Sequence, residues 1–499
     1  MKRTLSLTVA LLGGLTLTLA LALLMNRATP VQADHSVRYV APGGNCNGVS
    51  PCYGSVQAAV DAAADGDEIR VASGTYTDVH VRPRNDITTT GVVTQVVYIS
   101  KTVTVRGGYT TTDWTSGDPE GNPTILDAQG QGRVLYITGD ISPVVEGLRI
   151  TGGDATGMGG LLVQDQPGVE DDAGGGVYAI SVTVTISNSR VFGNVAGRGG
   201  GVYLGWSPAV LISNTVSANN ATTHGGGVFL DRSSATLVNN VISGNVAGDS
   251  GGGIRVEGVF AVPQEEGTGY LSGNIVVSNT AGQGGGVFLF FSRAILERNT
   301  ILSNTATGVG GGLHLFVGDD SLDGNIVRAN NAERGGGLFV GSAAPPELTN
   351  NVIVDNQAGI AGSGIYVVHS ILRLAHNTIA NNSGGGAGVH IAMAYPWEQL
   401  QHPSNIVMTN TIMVSHSIGI SVTGNSTVTM NGTLWHNAPI TISQSPTATV
   451  SVQNQISGDP VFASDGYHIT PFSAAMDEGV MAGVTTDLDG HVRPYNAAP

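Results

Sequence analysis

The chain has 499 residues, of which 12% are charged, 5% aromatic and 73 are glycine, with a formal net charge of −16. A hydrophobic fraction of 41% is too high for a disordered chain. With only two lysines, Lys2 and Lys101, there is no basic stripe to neutralise phosphates, so nucleic acid is excluded as a partner.

The N-terminus opens Met1-Lys2-Arg3, continues with an apolar run from Leu5 to Met25 and ends in small residues at Val31-Gln32-Ala33. This is the pattern of a secretory signal peptide over 1–33, cleaved after Ala33. An uncleaved anchor is the alternative, because the run is long enough to span a bilayer. No second run of that kind occurs, so the cleaved chain is expected to have no membrane span. Cys46 and Cys52 are the only cysteines. In an oxidising compartment they are expected to form a disulfide, and no His or carboxylate lies between them to complete a metal site.

The segment SVQAAVDAAA places Val56, Ala59, Val60 and Ala63 on one helical face, with Ser55 as N-cap. It is read as a helix plugging the first coil of a repeat array, within a cap-and-first-coils region over 34–140. From 141 to 455 the chain repeats. Glycine triads begin at Gly174, Gly199, Gly225, Gly251, Gly284, Gly310 and Gly335, with a relaxed copy at Gly362 and another triad at Gly384. Asparagines keep step at Asn188, Asn214, Asn240, Asn274, Asn299, Asn325, Asn351, Asn377 and Asn410, and a second column runs from Asn219 to Asn382. Two markers sharing one period of about 26 residues define a structural repeat.

Apolar residues alternate after each triad (Val202 and Leu204, Val228 and Leu230, Leu313 and Leu315), as on a strand with one buried face. A second short strand brackets each Asn, and no helix fits in the remaining residues. The expected fold is therefore all-β: a right-handed parallel β-helix solenoid with an N-terminal cap helix and an irregular C-terminal capping region over 456–499. The corner glycines and asparagines are assigned to turning the chain.

Between the two apolar positions of the first strand lie Tyr178, Tyr203, Phe229, Arg255, Phe288, His314, Phe339 and Tyr366. Alternation points them outward, as a ladder of flat side chains that either stabilises the sheet or offers rings to a sugar chain. Three insertions break the period and flank that face: 154–173, 258–269 and 394–404, the last carrying Tyr395, Trp397 and His402. Loops of this kind often sit at a solenoid's binding face.

SVQAAVDAAADGDEIRVASGTYTD resembles the opening of secreted right-handed β-helix proteins of the pectate-lyase-like superfamily. GLRITGG, GGGVY and the N-x-x-x-x-N-x-A-x-x-GGG coil resemble bacterial surface β-helix proteins and, more loosely, chlamydial polymorphic outer-membrane adhesins. DPVFASDGYHITPFSAAMDEG with TTDLDGHVRP looks like a choice-of-anchor Q region, although the D-I-G-A-D-E-like strand that usually comes next has no counterpart here.

The resemblance implies a secreted or surface protein and raises polysaccharide lyases, hydrolases and epimerases as possible activities. A polygalacturonase-like set is incomplete: Gly318-Asp319-Asp320 and His224 stand alone. The best local match to a lyase centre is Asp231 and Glu257, outward on adjacent coils, with Arg255 beside them. A solvated carboxylate pair balanced by Arg232 and Arg255 is the plainer reading. Asp171-Asp172, Glu265-Glu266 and Asp487-Leu488-Asp489-Gly490 could hold Ca²⁺, though each lacks the ligand count of a recognised loop, and no cofactor is required. The expectation is a non-catalytic extracellular binding or adhesion module for a polysaccharide, with a lyase or hydrolase as the alternative.

Overall fold

The computed structural model describes residues 35–84, 91–162, 170–258, 268–342, 346–393 and 402–493. One coil shows the plan: strands Thr185–Ser187, Arg190–Phe192, Val195–Arg198 and Val202–Gly205, then Val210–Ile212 opening the next turn. Each strand pairs in parallel with its counterpart one coil on, in register in sheets A, B and C and with a register shift between Ala196 and Arg198 in sheet D. Among the described residues this stacks four sheets, here called A (16 strands), B (14), C (14) and D (8), visited in the order A, B, D, C. The chain is a right-handed parallel β-helix. Its inward column forms one aliphatic cluster that runs from Val40 to Trp435.

Two asparagine ladders hold the corners. At the A–B corner, Asn214 donates from its backbone N–H and from Nδ2 to Asn240 Oδ1 (2.9 and 3.0 Å), and Nδ2 also reaches Ile186 O at 2.8 Å. The pattern repeats through Asn240, Asn274, Asn299, Asn325 and Asn351 to Asn377. The expected column is off by one at both ends. Asn188 and Asn410 are left-handed residues just before the ladder. Ser189 takes the ladder place in the first coil: its backbone N–H donates to Asn214 Oδ1, and its hydroxyl accepts from Leu148 N and donates to Ser187 O. Thr411 is next to Asn410 at the other end. The second ladder, at the B–D corner, begins one coil earlier than expected, at Asn194, and ends with Asn382 against His416.

The glycine triads turn sheet D into sheet C. Gly225 has φ +64°, and a Cβ there would lie 2.7 Å from Phe229 Cβ. A Cβ on Gly227 would lie 2.9 Å from Asn245 Nδ2, so the third glycine makes room for the ladder.

The first coil is closed as the helical face implies. Helix Val56–Ala62 is capped by Ser55 and buries Val56, Ala59 and Val60. Gln57, an unexpected buried polar residue, accepts from Tyr98 N (2.6 Å) and donates to Tyr98 O (3.2 Å), so its amide stands in for a neighbouring strand at the sheet edge. Lys101 Nζ donates to the carbonyls of Val60, Asp61 and Ala63 at the helix C-terminus. Cys46 and Cys52 form the expected disulfide.

At the far end, residues 459–493 run back along sheet B. Phe462, Tyr467 and Leu488 pack on Val352, Val354, Ala380 and Val414. Asn410 exchanges two hydrogen bonds with Val480, and Arg493 donates to Asn350.

Candidate functional site

Sheet C presents two outward columns. The first is the aromatic ladder, which extends further than the sequence suggested: Tyr98, Tyr136, Tyr178 and Tyr203 stack in series at 4.8–5.4 Å. Later coils add Phe288 against His314 (4.5 Å), Phe339 against Tyr366 (5.1 Å) and Tyr366 against His390 (5.0 Å). The ladder is not exposed, and this corrects the expectation of rings open to a ligand. Tyr178, Tyr203, Phe229, Phe288, His314, Phe339 and Tyr366 are all buried, the most open being Phe288 at 5%. The reason is the triad. Its tight turn lays the residue before it over the ring, so Arg198 covers Phe229 (5.9 Å), His224 approaches Phe229 (6.4 Å), and Val309 packs with Phe339. His314 sits inside this layer with both ring nitrogens buried and without a hydrogen bond, and burial pushes its pKa down to about 3.

The second outward column holds the carboxylates. Asp231 and Glu257 are register partners on adjacent coils. Arg255 Nε donates to Glu257 Oε2 at 2.8 Å, and its Nη1 reaches Ser250 Oγ and His224 Nδ1. Its guanidinium lies over Phe229, Phe288 and Phe290 at 4.9–5.7 Å. Asp231 is buried and accepts from Tyr203 Oη at 2.8 Å. Burial pushes its carboxyl up to about 6, with Arg232 opposing and Glu257 adding to the rise. His224 is pushed down to about 2 by burial and by the charges of Arg255 and Arg198, so it is a neutral acceptor. The three candidate residues do meet, but two are enclosed and Arg255 is already engaged on three sides.

Further along this second column lie aromatic residues that the sequence pattern did not single out. Register carries Glu257 to Phe290, Phe290 to Phe316 and Phe316 to Gly341. Phe290 and Phe316 stack at 5.8 Å, Phe291 meets Phe290 at 4.5 Å, and all three are half-buried. Trp206, also half-buried, comes directly after Gly205 in the coil before Asp231 and carries Arg232 on its ring at 4.7 Å. The signal was available: alternation two residues beyond the ladder position points outward as well.

Of the remaining candidates, Tyr395, Trp397, Glu265 and Glu266 lie outside the described residues. His402 stands against His369 at 5.2 Å. Asp171 pairs with Arg198 at 2.5 Å, tying the hairpin to sheet D, and Asp172 accepts from Gly157 and Gly159 N–H, organising the hairpin's own approach. Ligand atoms of Asp487, Asp489 and His491 lie within 4.8 Å of one another. Asp320 is a corner residue, accepting from Ser292 Oγ (2.6 Å) and Ala294 N (2.8 Å). Among the described residues no helix is long and apolar enough to cross a membrane.

The fold and this face define a parallel β-helix with an outward aromatic and carboxylate column. The family described as the right-handed β-helix region matches residues 268–396. No curated protein matches the chain. Among solved structures, the A-module of the Azotobacter vinelandii mannuronan C-5 epimerase AlgE6 is similar at 13% identity, over 81% of this chain and 94% of that one, with a TM-score of 0.36. Alginate lyase AlyF-OU02 in complex with G6 is similar at 11% identity over 90% and 93%, TM-score 0.35. Pectate lyase Pel9A is similar at 14% identity over 82% of each chain, TM-score 0.26.

Proposed function

We propose that the protein is a secreted or surface-exposed β-helix whose sheet C face binds a polysaccharide without cleaving it. The observation that carries this reading is the half-buried aromatic column Phe290–Phe316, with Phe291 and Glu257 beside it and Trp206 further along the same face, next to the buried ring ladder. Rings open to solvent beside hydrogen-bonding carboxylates are what the apolar faces and hydroxyls of a sugar chain require. The disulfide supports an oxidising compartment.

Catalysis is the second reading, and one observation favours it. Burial pushes the Asp231 carboxyl up to about 6, and Glu257 is its register partner on the next coil; a raised carboxyl beside a second carboxyl is what general acid–base work requires. Against it stands the enclosure of Asp231 and Arg255. Ca²⁺, if the protein uses it, would belong to this second reading.

A polysaccharide array read for retention and for release of reducing or unsaturated ends separates the two. Retention without release, lost in a Phe290→Ser/Phe316→Ser double variant that still folds, is the expected result. Release of ends that disappears in Asp231→Ala/Glu257→Ala would replace this reading by the enzymatic one. No retention by the wild type would remove both.

A further inference from the structure

We propose that the ligand of this face is a linear glycan, neutral or amino-substituted rather than a polyuronate, and that it lies parallel to the solenoid axis. The inference rests on the polysaccharide-binding reading above and adds the ligand's charge and direction.

Direction comes from register. Gly205, Asp231, Glu257, Phe290 and Phe316 are successive partners in one column. Each step advances one coil, about 4.8 Å, close to the advance per pyranose in an extended glycan. A chain laid along the column can therefore meet Trp206 beside the first position, Glu257 in the middle and the Phe290–Phe316 pair at the end. A chain laid across the sheet meets one coil only, and there the neighbouring column is the buried ladder.

Charge is decided by which groups reach water. On the face formed by sheets C and D, the side chains of Asp249, Glu333 and Glu257 are 56%, 55% and 21% exposed. Those of Arg198, Arg334, Arg232 and Arg255 are only 17%, 18%, 16% and 6% exposed. Around this column the cations turn inward onto rings and carboxylates, and the anions turn out; Arg293, exposed at the rim beyond Phe291, and Arg82, 34% exposed on the first strand of sheet C and paired with Asp61, are exceptions. The whole chain is also acidic, at −16. A polyuronate would bring a carboxylate per sugar against this surface, whereas hydroxyl or ammonium groups complement it.

The test uses the mature chain and two ligand sets, measured by calorimetry or affinity electrophoresis. One set is neutral gluco- and manno-oligosaccharides and chitosan oligomers, from disaccharide to octasaccharide. The other is oligogalacturonate and oligoalginate, in EDTA and again with added Ca²⁺. Neutral or amino glycans should bind, with affinity rising to about the pentasaccharide and then levelling. Trp206→Ala should weaken the pentasaccharide by about tenfold, the loss of one stacked ring, and leave the trisaccharide unchanged. Trp206→Phe should restore most of it, which separates lost stacking from lost folding. Uronates binding as well as neutral glycans in EDTA, or binding once Ca²⁺ is added, would overturn the charge assignment and leave polysaccharide binding standing. Neutral binding without length dependence would overturn the orientation. Failure of every glycan to bind would instead remove the underlying reading.

Discussion

The inward column of sheet C and the ring ladder on its outer face are both buried, and for different reasons. The inward column, with Val228 and Leu230 in one coil and Val287 and Leu289 two coils on, is closed by the path of the chain itself, and its cluster runs unbroken through the solenoid. The outward ring column is closed only by the local glycine corner. Its apolar layer falls into two pieces, Tyr98 to Phe229 and Phe339 to Tyr366. Arg255, Phe288 and His314 lie in the gap, beside Asp231, Glu257 and the half-buried phenylalanines. An interior set by the fold must be uniform. An outer layer set coil by coil can admit charge, and it does so where the candidate site lies.

Leu289→Asp attacks the uniform side and should have the largest effect. It puts an unpaired charge into a continuous apolar column, at a cost of several kcal/mol, so several coils should lose structure together by circular dichroism and proteolysis. An unchanged melting curve would place Leu289 on the outer face.

Phe229→Ala tests whether the outer layer is closed. An exposed ladder loses only stacking, ~0.5–1.5 kcal/mol per ring pair, whereas a buried ring leaves a cavity at about 3–5 kcal/mol. The larger loss is expected in a denaturant titration, and a loss near the smaller range would mean that the rings face water after all.

Asn279→Ala lies on neither face of sheet C but in the ladder at the B–D corner of the same coils. The side chain accepts from Asn245 N and Nδ2 and donates to Ile242 O and Asn304 Oδ1. Removing it strands buried groups, at about 1–3 kcal/mol, so hydrogen exchange should quicken in the coils on either side while the ends stay protected. Exchange that quickens evenly along the chain would argue against local ladder contacts.

What the sequence revealed and what it hid divide along the same line. The inward residues, the capped helix around Val56 and Val60, the triads and most of the Asn ladder were legible because each obeys a period that the stacking imposes. Alternation also told the direction of Tyr178 and Phe229 correctly. It could not tell that they are covered: Phe229 lies under Arg198 and His224, which come before the left-handed turns at Gly199 and Gly225, and Tyr178 lies under Arg133 and donates to Gly160 O. Phe290 and Phe316 lie two residues beyond the ladder position, where the neighbouring coils carry Asp231, Glu257 and Gly341, so no aromatic period marks that column in the sequence. Asn188 was misplaced because Ser189 fills the ladder with a hydroxyl instead of an amide.

The effect of Asp231 is confined to a pH window and fades toward pH 4, and it probes how dry the interrupted part of the outer layer is. Burial holds its carboxyl at about 6 in the folded chain, above the ~3.9 of a free aspartate. Between those two values the folded state keeps a proton that the unfolded state has lost, so this residue's contribution to stability falls as pH rises from ~4 to ~6 and is level above that. Asp231→Asn removes the titration while keeping an acceptor for Tyr203 Oη. The variant should therefore gain on the wild type across that window, by on the order of 1–3 kcal/mol at pH 7, and the difference should vanish near pH 4. A difference that stays constant with pH would mean that Asp231 ionises as in water. The column would then be hydrated at Asp231 as well, and a glycan running from Trp206 to Phe316 would meet a charged carboxylate between Trp206 and Glu257 instead of a closed position.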